Sequence, residues 1–431
     1  MKITLLTYGS RGDVQPFLAL AVGLQKAGHT VMLAAPHRFA DFVGTYGIPF
    51  APLAGDPEEI SRIINDAGEN TLRMINGMKS YIFDIAPQVV MDARAAITGA
   101  EMLVHGFLFT TGAHSFARDL GIPDVSVQTF PVFAPTRAFP NVAMAKIPPG
   151  GLSYFSHWLA TQIFWYGGNS GYYQLRRRLP ADLPPKLYWP FSRTPDRPLT
   201  PLLFAYSPAV LPRPAEWIEP NLHITGYFYL DAGQAYQPPD LLKKFLAVGD
   251  VPVCVSFGSM VNREAERIHQ VVREALAGAH RRGIFLSGWG GYQNPDKNDD
   301  ILYLEDAPHD WLFPRCKVII HHGGAGTTAA GLRAGVPNIV VPHTADQPFW
   351  GRRVAAIGAG PEPIPVNRLT AQRLVAALAQ VEDPALRLRA EAIGRLIQKE
   401  DGVGEAVRII GSIYLPTLKF IRKAGLGRWN P

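Results

Sequence analysis

The chain has 431 residues, 47% of them hydrophobic and 18% charged, enough apolar content for a sizeable core and too much for a disordered chain. Two cysteines, Cys254 and Cys316, exclude a disulfide scaffold and point to a reducing compartment. The net charge of +6 comes without a basic stripe interleaved with aromatics, which excludes a nucleic-acid groove, and no apolar run reaches the roughly 20 residues of a membrane span.

The N-terminal MKITLLTYGSRGD is too short in apolar residues for a signal peptide, so a cytoplasmic location is expected. Lys2–Thr7 reads as a strand, the following YGSRGD as a Gly-containing turn, and Val14–Ala27 as a helix with Phe17, Leu18, Ala21 and Leu24 on one face. Val31–Ala35 reads as the next strand. Strand–helix–strand is a βαβ unit, which implies a parallel sheet buried on both faces. Further strands are expected near 101–105 and 124–128. In the first turn, Asp13 stands immediately before the helix, either as its N-cap or as a general base. A helix N-terminus lowers a carboxylate's pKa, so a base here needs desolvation by a bound apolar acceptor, or a late proton transfer.

Across about 130–200 the alternation weakens. Residues 151–173 hold Tyr154, Phe155, Trp158, Phe164, Trp165, Tyr166, Tyr172 and Tyr173. They read as an irregular helical insertion whose aromatics pack onto the sheet, or else line a pocket for a large apolar ligand. DAGQAYQPPD at 231–240 reads as a linker. An N-terminal domain over 1–230 and a C-terminal domain over 241–400 are therefore expected.

In the second half, Val251–Phe257, Gly283–Ser287, Lys317–His321 and Asn338–Val341 read as strands, with helices over 263–281 and about 326–334. The tail, 401–431, holds an apolar helix over 404–423 ending in Lys419, Arg422 and Lys423, which either braces the N-terminal domain or rests on an anionic membrane. The fold class is α/β: two doubly wound Rossmann-like parallel-sheet domains facing a cleft, with ligands at the carboxyl ends of the strands.

His321-His322-Gly323-Gly324-Ala325-Gly326-Thr327-Thr328 follows a strand and opens a helix. Small residues let a ligand approach the backbone, and the first-turn N–H groups and helix dipole suit a phosphate or diphosphate, to which His322 adds a donor. The plainer alternative is a tight turn with Thr327 as N-cap. Gly258 and Ser259, in Ser256–Met260, either contribute to the same diphosphate or simply end a strand. Asp346-Gln347 offers acceptors and donors together, as vicinal sugar hydroxyls require, and Asp346 can cap a helix as well. A nicotinamide dinucleotide site is excluded, because the first turn lacks GxGxxG and the second strand ends in Pro36-His37-Arg38. Adjacent His321 and His322 point oppositely with no companion spacing, so no metal is expected.

GSRGDVQPFLALAVGLQKAGH at the start and APHDWLFPRCKVIIHHGGAGTTAAGLRAGVPNIVVPHTADQPFWGRRV at 307–354 resemble the GT-B UDP-glycosyltransferase superfamily. The likeness covers nearly the whole chain and is to the sterol 3-β-glucosyltransferase branch and the related antibiotic glycosyltransferases. It implies Asp13 as the catalytic base, His322, Gly324, Gly326 and Thr327 on the donor diphosphate, and Asp346 and Gln347 on the donor sugar. His105 falls near the place where plant members keep an Asp that orients their catalytic His, which implies either a proton relay or a buried core histidine. Ala330 replaces a ribose-contacting Glu, and the uracil-stacking Trp of plant members has no match. Trp289 and Ala307 are the candidates for the base pocket, and UDP and dTDP both stay open. His343 replaces a residue often aromatic in relatives, which bears on the choice of sugar.

The implied reaction is an inverting, metal-independent transfer of a hexose, glucose from UDP-glucose or a dTDP-sugar, to a hydroxyl of a lipophilic acceptor such as a sterol, terpenoid or polyketide. A monomer or homodimer is expected, either free in the cytoplasm or peripheral to the inner face of the membrane. Two other readings compete: a non-catalytic sugar-nucleotide or lipid-binding protein, and another GT-B enzyme such as an N-acetylglucosaminyltransferase. Intact Asp13, His322, Asp346 and Gln347 argue against the first, and the aromatic segment and Asp13 against the second.

Overall fold

The computed structural model describes residues 1–67, 71–195, 197–232, 235–257, 265–286 and 300–423. The chain divides into two compact units. One comprises Met1–Pro208, Arg213–Leu230 and Asp401–Pro431, the other Ala209–Pro212 and Asp231–Glu400.

The first unit is built on seven parallel strands: β1 (Lys2–Leu6), β2 (Thr30–Pro36), β3 (Phe50–Leu53), β4 (Met102–His105), β5 (Asp124–Gln128), β6 (Leu202–Phe204) and β7 (Leu222–Ile224). Their order is β3-β2-β1-β4-β5-β6-β7. Alternate side chains go to opposite faces. Ile3, Leu5, Met102 and Val104 join one hydrophobic layer, and Leu6 and Leu103 the other. Both faces are covered, so these strands are apolar throughout.

The helix after β1 runs Arg11–Lys26, three residues earlier than its apolar period suggests, because Ser10 is its N-cap. Val14, Phe17, Leu18, Ala21 and Leu24 are buried on the sheet. The C-terminal helix Gly402–Lys423 packs against it, with Ala406, Ile409 and Ile410 in the same core. The approach is close: a Cβ on Gly23 would lie 2.3 Å from Val403 Cγ1. The side chains of Lys419, Arg422 and Lys423, on which the membrane expectation rested, lie outside those described.

The aromatic segment departs from expectation. It is one continuous 28-residue helix, Gly151–Arg178, and its aromatics do not pack onto the sheet as a group. Tyr172 is buried, but Tyr154, Phe155, Trp158, Tyr166 and Tyr173 are 44–67% exposed. The buried seam is narrow and largely polar: Ser153 Oγ donates to the Pro148 carbonyl at 2.8 Å, and Ser156 Oγ accepts from the Asn141 N–H at 2.9 Å.

The second unit has five parallel strands: β8 (Val253–Ser256), β9 (Gly283–Leu286), β10 (Ile301–Leu304), β11 (Val318–His321) and β12 (Asn338–Val340), in the order β10-β9-β8-β11-β12. Each sheet reverses its winding once, between β1 and β4 and between β8 and β11. Doubly wound sheets bind ligands at such switch points, outside the carboxyl ends of the strands. Among the described residues no helix is long and apolar enough to cross a membrane.

Candidate functional site

At the first switch point the chain leaves β1 through Thr7–Ser10. The Ser10 N–H and hydroxyl both donate to Asp13 Oδ2, at 2.8 and 3.2 Å, while the Gly12 N–H donates to Ser10 Oγ at 3.3 Å. This is a capping box, so Asp13 is the third helical residue and not the N-cap. Gly9, at φ +142°, is required beneath it, since a Cβ there would lie 2.2 Å from Asp13 Oδ2. The other carboxylate oxygen, Oδ1, accepts no hydrogen bond among the described residues. Burial pushes the Asp13 carboxyl up to about 6 and outweighs the two Ser10 hydrogen bonds, which pull it down. The fold itself therefore supplies the desolvation that the sequence argument assigned to a bound acceptor.

His105 does not join Asp13. It pairs in register with Leu6 and shares that residue's side of the sheet, away from the layer into which the first helix packs. Fully buried, its Nε2 lies 3.1 Å from Asp124 Oδ2. His114 Nδ1, at 2.9 Å, and Arg197, at 3.2 Å, close on the same carboxylate. Burial would raise Asp124, but the charge of His114 and the hydrogen bonds from both histidines hold it well below the usual carboxylate range. Of the two readings of His105, proton relay and buried core histidine, the geometry supports the second: it serves a buried cluster around Asp124.

At the second switch point the two adjacent histidines separate, as strand geometry demands. His321 turns into the fold, where its Nδ1 accepts from the Gly323 N–H at 3.0 Å and its Nε2 faces Asn338 Oδ1 at 2.9 Å. These partners place the proton on Nε2, and burial lowers its pKa to about 3, so the ring is neutral. His322 turns toward the loop. A Cβ on Gly324 would lie 2.5 Å from His322 Nε2, so the imidazole lies against the start of the next helix only because that residue is glycine. Burial pushes His322 down to about 4, and the Ser256 main chain pulls weakly the other way. Its Nδ1 is buried without a hydrogen bond among the described residues.

The helix Ala325–Arg333 has Gly324 as its N-cap, with no side-chain cap; Thr327, which the plainer alternative made the N-cap, lies in the first turn instead. The first backbone bond runs from the Thr328 N–H to the Gly324 carbonyl, at 3.0 Å. The N–H groups of Ala325, Gly326 and Thr327 have no partner among the described residues, and Gly326 faces open space. Such a terminus, with its dipole, is an anion receptor.

Gly323 joins this turn to the Asp346–Gln347 loop. It has φ +91°, and a Cβ there would lie 2.6 Å from Val340 Cγ1 and 3.1 Å from the Gln347 carbonyl. Gln347 Oε1 accepts from the His343 and Thr344 N–H groups at 2.8 and 3.2 Å, which fixes the loop. Asp346 occupies the N-cap position without a capping bond, its Oδ2 accepting instead from Trp350 Nε1 at 2.9 Å. Ala345, immediately before Asp346, is held at φ +57°, a strained conformation of the kind found at binding loops. His343 is lowered to about 4 by burial, with the nearby His322 and Arg267 adding to it.

Of the remaining candidates, Gly258, Ser259 and Trp289 lie outside the described residues. Ala307 is 2% exposed and its side chain packs in the core with Leu312 and Phe313, so among the described residues that side chain faces no open pocket. Ala330 packs on that same core. Among the described residues no group of three or more His, Cys, Asp or Glu converges on a metal-sized site. The structuring roles of Ser10, Gly323 and His321 were missed from sequence, although Ser10-x-x-Asp13 is a readable capping signal.

The erythromycin biosynthesis protein CIII-like, C-terminal domain family matches residues 298–399, and the glycosyltransferase family 28 N-terminal domain matches 3–111. The chain is 36% identical over 429 residues to a sterol 3-beta-glucosyltransferase of Arabidopsis thaliana, covering 97% of this chain but 66% of the relative, and it spans 27–28% of fungal proteins of that name. It is 35% identical over 428 residues to the O-mycaminosyltylonolide 6-deoxyallosyltransferase of Streptomyces fradiae, covering 95% of this chain and 97% of that one. The glycotransferase of kitacinnamycin shares the fold at a TM-score of 0.69 and 20% identity, over 95% of this chain and 98% of that one. With a relative 35% identical and covered to 97% of its length, and a second sterol 3-beta-glucosyltransferase of Arabidopsis thaliana 33% identical and covered to 67%, the chain belongs to the GT-B UDP-glycosyltransferase superfamily, in its sterol 3-β-glucosyltransferase-like branch.

Proposed function

We propose that the chain moves a hexose, glucose from UDP-glucose, to a hydroxyl of a lipophilic acceptor such as a sterol, terpenoid or polyketide, with inversion at the anomeric carbon and without a metal. The observation that carries this reading is the uncapped helix start at Ala325–Thr327 with His322 lodged against Gly324. It supports a leaving diphosphate as the bound anion.

Asp13 Oδ1 takes the acceptor's hydroxyl proton as that oxygen attacks the anomeric carbon. The bond from that carbon to the diphosphate oxygen breaks on the opposite side, and a single displacement of this kind inverts the centre. The three N–H groups and a neutral His322 Nε2–H receive the charge that develops on the diphosphate, a preorganised arrangement that requires little reorganisation. Asp346 and Gln347 orient the sugar through its hydroxyls. The reaction requires water to be excluded from the reacting centre. Relatives named for sterol and O-mycaminosyltylonolide acceptors support the lipophilic acceptor, and the name sterol 3-beta-glucosyltransferase supports glucose as the hexose. The basic tail helix supports peripheral contact with a membrane in which such acceptors dissolve.

A mass-spectrometric screen of sugar nucleotides against lipophilic alcohols tests the reading. Addition of a hexose mass, abolished by Asp13→Asn, is expected. Binding of nucleotide with no product from any pair would instead identify a sugar-nucleotide-binding protein.

A further inference from the structure

The helix Gly151–Arg178 is anchored on one side and bare on the other. On its inner side Ser153, Ser156 and His157 are buried, and His157 Nε2 donates to the Phe139 carbonyl at 3.0 Å. Further along, Tyr172 and Leu175 enter an apolar core of the first unit. On its outer side Leu152, Phe155, Leu159, Ile163, Tyr166 and Tyr173 follow one another at steps of three, four or seven residues. That spacing sets them along one face roughly 30 Å long. Leu159 is half-buried and the other five are exposed. Trp158, exposed beside them, stacks on Phe155 with ring centroids 5.5 Å apart. Single apolar side chains are ordinary on a surface in water, but a row of this length marks a contact surface.

Charge says what that surface meets. Residues 125–181, which contain the whole helix, hold no Asp or Glu, although the chain has 36 of them in 431 residues. The same stretch carries Arg137, Lys146, Arg176, Arg177 and Arg178. Arg176 Nε donates to the Pro184 carbonyl at 3.0 Å and Arg178 lies 4.6 Å from the centre of the Phe83 ring, which fixes the arginine triplet at the helix end. Glu216, from outside the stretch, accepts from the Thr136 hydroxyl and the Arg137 N–H at 2.5 and 2.8 Å, and so answers only the Arg137 end. Tyr and Trp, with apolar bodies and polar edges, collect at the boundary between membrane and water, and basic side chains are drawn to anionic headgroups. Pairing this face with a second copy would instead bring two acid-free, cationic stretches together, which like-charge repulsion opposes.

We propose that the outer face of the helix Gly151–Arg178 docks on an anionic lipid bilayer. The helix lies flat in the headgroup region, its exposed aromatics toward the acyl chains and its arginines on lipid phosphates. The peripheral contact proposed above then rests chiefly on this face and not on the tail helix. Binding needs no sugar transfer, so its failure and that of the transferase reading are distinguishable.

The test is flotation of the full chain with vesicles of phosphatidylcholine, alone or mixed with an equal part of phosphatidylglycerol. Partitioning onto the anionic vesicles is expected to exceed that onto phosphatidylcholine by about tenfold or more, and to weaken as salt rises. The double variant Phe155→Gln, Tyr166→Gln keeps good helix formers on an exposed face and should melt as the parent does. It is expected to lose about tenfold or more of the partitioning. Leu388→Gln, which removes an exposed apolar side chain of the second unit, should leave partitioning unchanged. Bromine-labelled phosphatidylglycerol is expected to quench tryptophan emission, and Trp158→Phe should remove most of that quenching. No binding to either vesicle, equal binding by the double variant, or quenching untouched by Trp158→Phe would overturn the proposal. Binding lost only when Lys419, Arg422 and Lys423 are replaced by Ser would assign the contact to the tail and overturn it too. So would a homodimer in lipid-free sedimentation that the double variant dissociates, which would give the face to a second copy.

Discussion

The turns at the two switch points use one backbone device to opposite electrostatic ends. After β1 the helix brings its own anion: Ser10 and Asp13 close a capping box, and the dipole is answered from within the chain. After β11 the helix brings none. Gly324 caps without a side chain, three N–H groups stay unpartnered among the described residues, and the imidazole of His322 that lies against Gly324 is neutral. The contrast teaches that a glycine-containing strand–helix turn has no fixed function. What decides is whether the third helical residue is Asp13, which fills the anion site, or Thr327, which leaves it open.

The comparison is broken most severely by removing the internal anion. Asp13→Asn keeps the shape and an acceptor for the Ser10 N–H but loses the base, so kcat is expected to fall about 10²–10⁴-fold with nucleotide affinity unchanged, checked by steady-state rates and calorimetry. An unaltered kcat would remove Asp13 from the chemistry. At the other turn His322→Ala should lower kcat by about 10²–10³-fold, as loss of one preorganised oxyanion donor does, and should weaken UDP binding as well.

Two glycines of the second turn sharpen the contrast further. Gly324→Ala forces its Cβ onto His322 Nε2, whereas Gly326→Ala meets nothing within 4 Å. The first should raise the KM for sugar nucleotide by about tenfold and the second by less than about twofold, provided a displaced donor behaves like a deleted one. Comparable effects at both would place the anion elsewhere along the helix.

The pH dependence sets the turns apart in another way. Asp13 titrates near 6 in the fold, so kcat/KM should drop tenfold per unit below that value and level off above it. The linked stability has a definite sign. A carboxyl raised above its unfolded value gives the fold an advantage that is present below about pH 4 and lost as pH rises through about 6. Asp13→Asn should therefore melt progressively higher than the parent as pH goes from 4 to 7, by scanning calorimetry; a gap that narrows instead would contradict the buried-carboxylate account. The smallest effect is expected at Ala345, where Gly relieves φ +57° and should stabilise by about 1 kcal/mol in denaturant titration.

Much of this was legible in the residues themselves. The strand runs around Leu5, Leu33, Val255 and Ile320 are apolar throughout because both faces of a parallel sheet are covered, and that pattern survives without an alignment. The His321–Thr328 turn was legible because small residues after a strand have few other uses. Boundaries were less so: Gly12 and Pro16 obscure a helix start that the Ser10–Asp13 pair sets. The helix Gly151–Arg178 hid because its aromatics lie on many sides of it and leave no single apolar stripe. Three-residue strands such as β6 and β7 carry too little period to be read. His105 stayed open between two readings because its partner, Asp124, comes from a neighbouring strand.

The most direct measurement is the crystal structure of the chain with UDP bound. The account predicts diphosphate oxygens about 2.7–3.1 Å from the N–H groups of Ala325, Gly326 and Thr327 and from His322 Nε2. A diphosphate bound away from that helix start, or a His322 ring turned from it, would contradict the account.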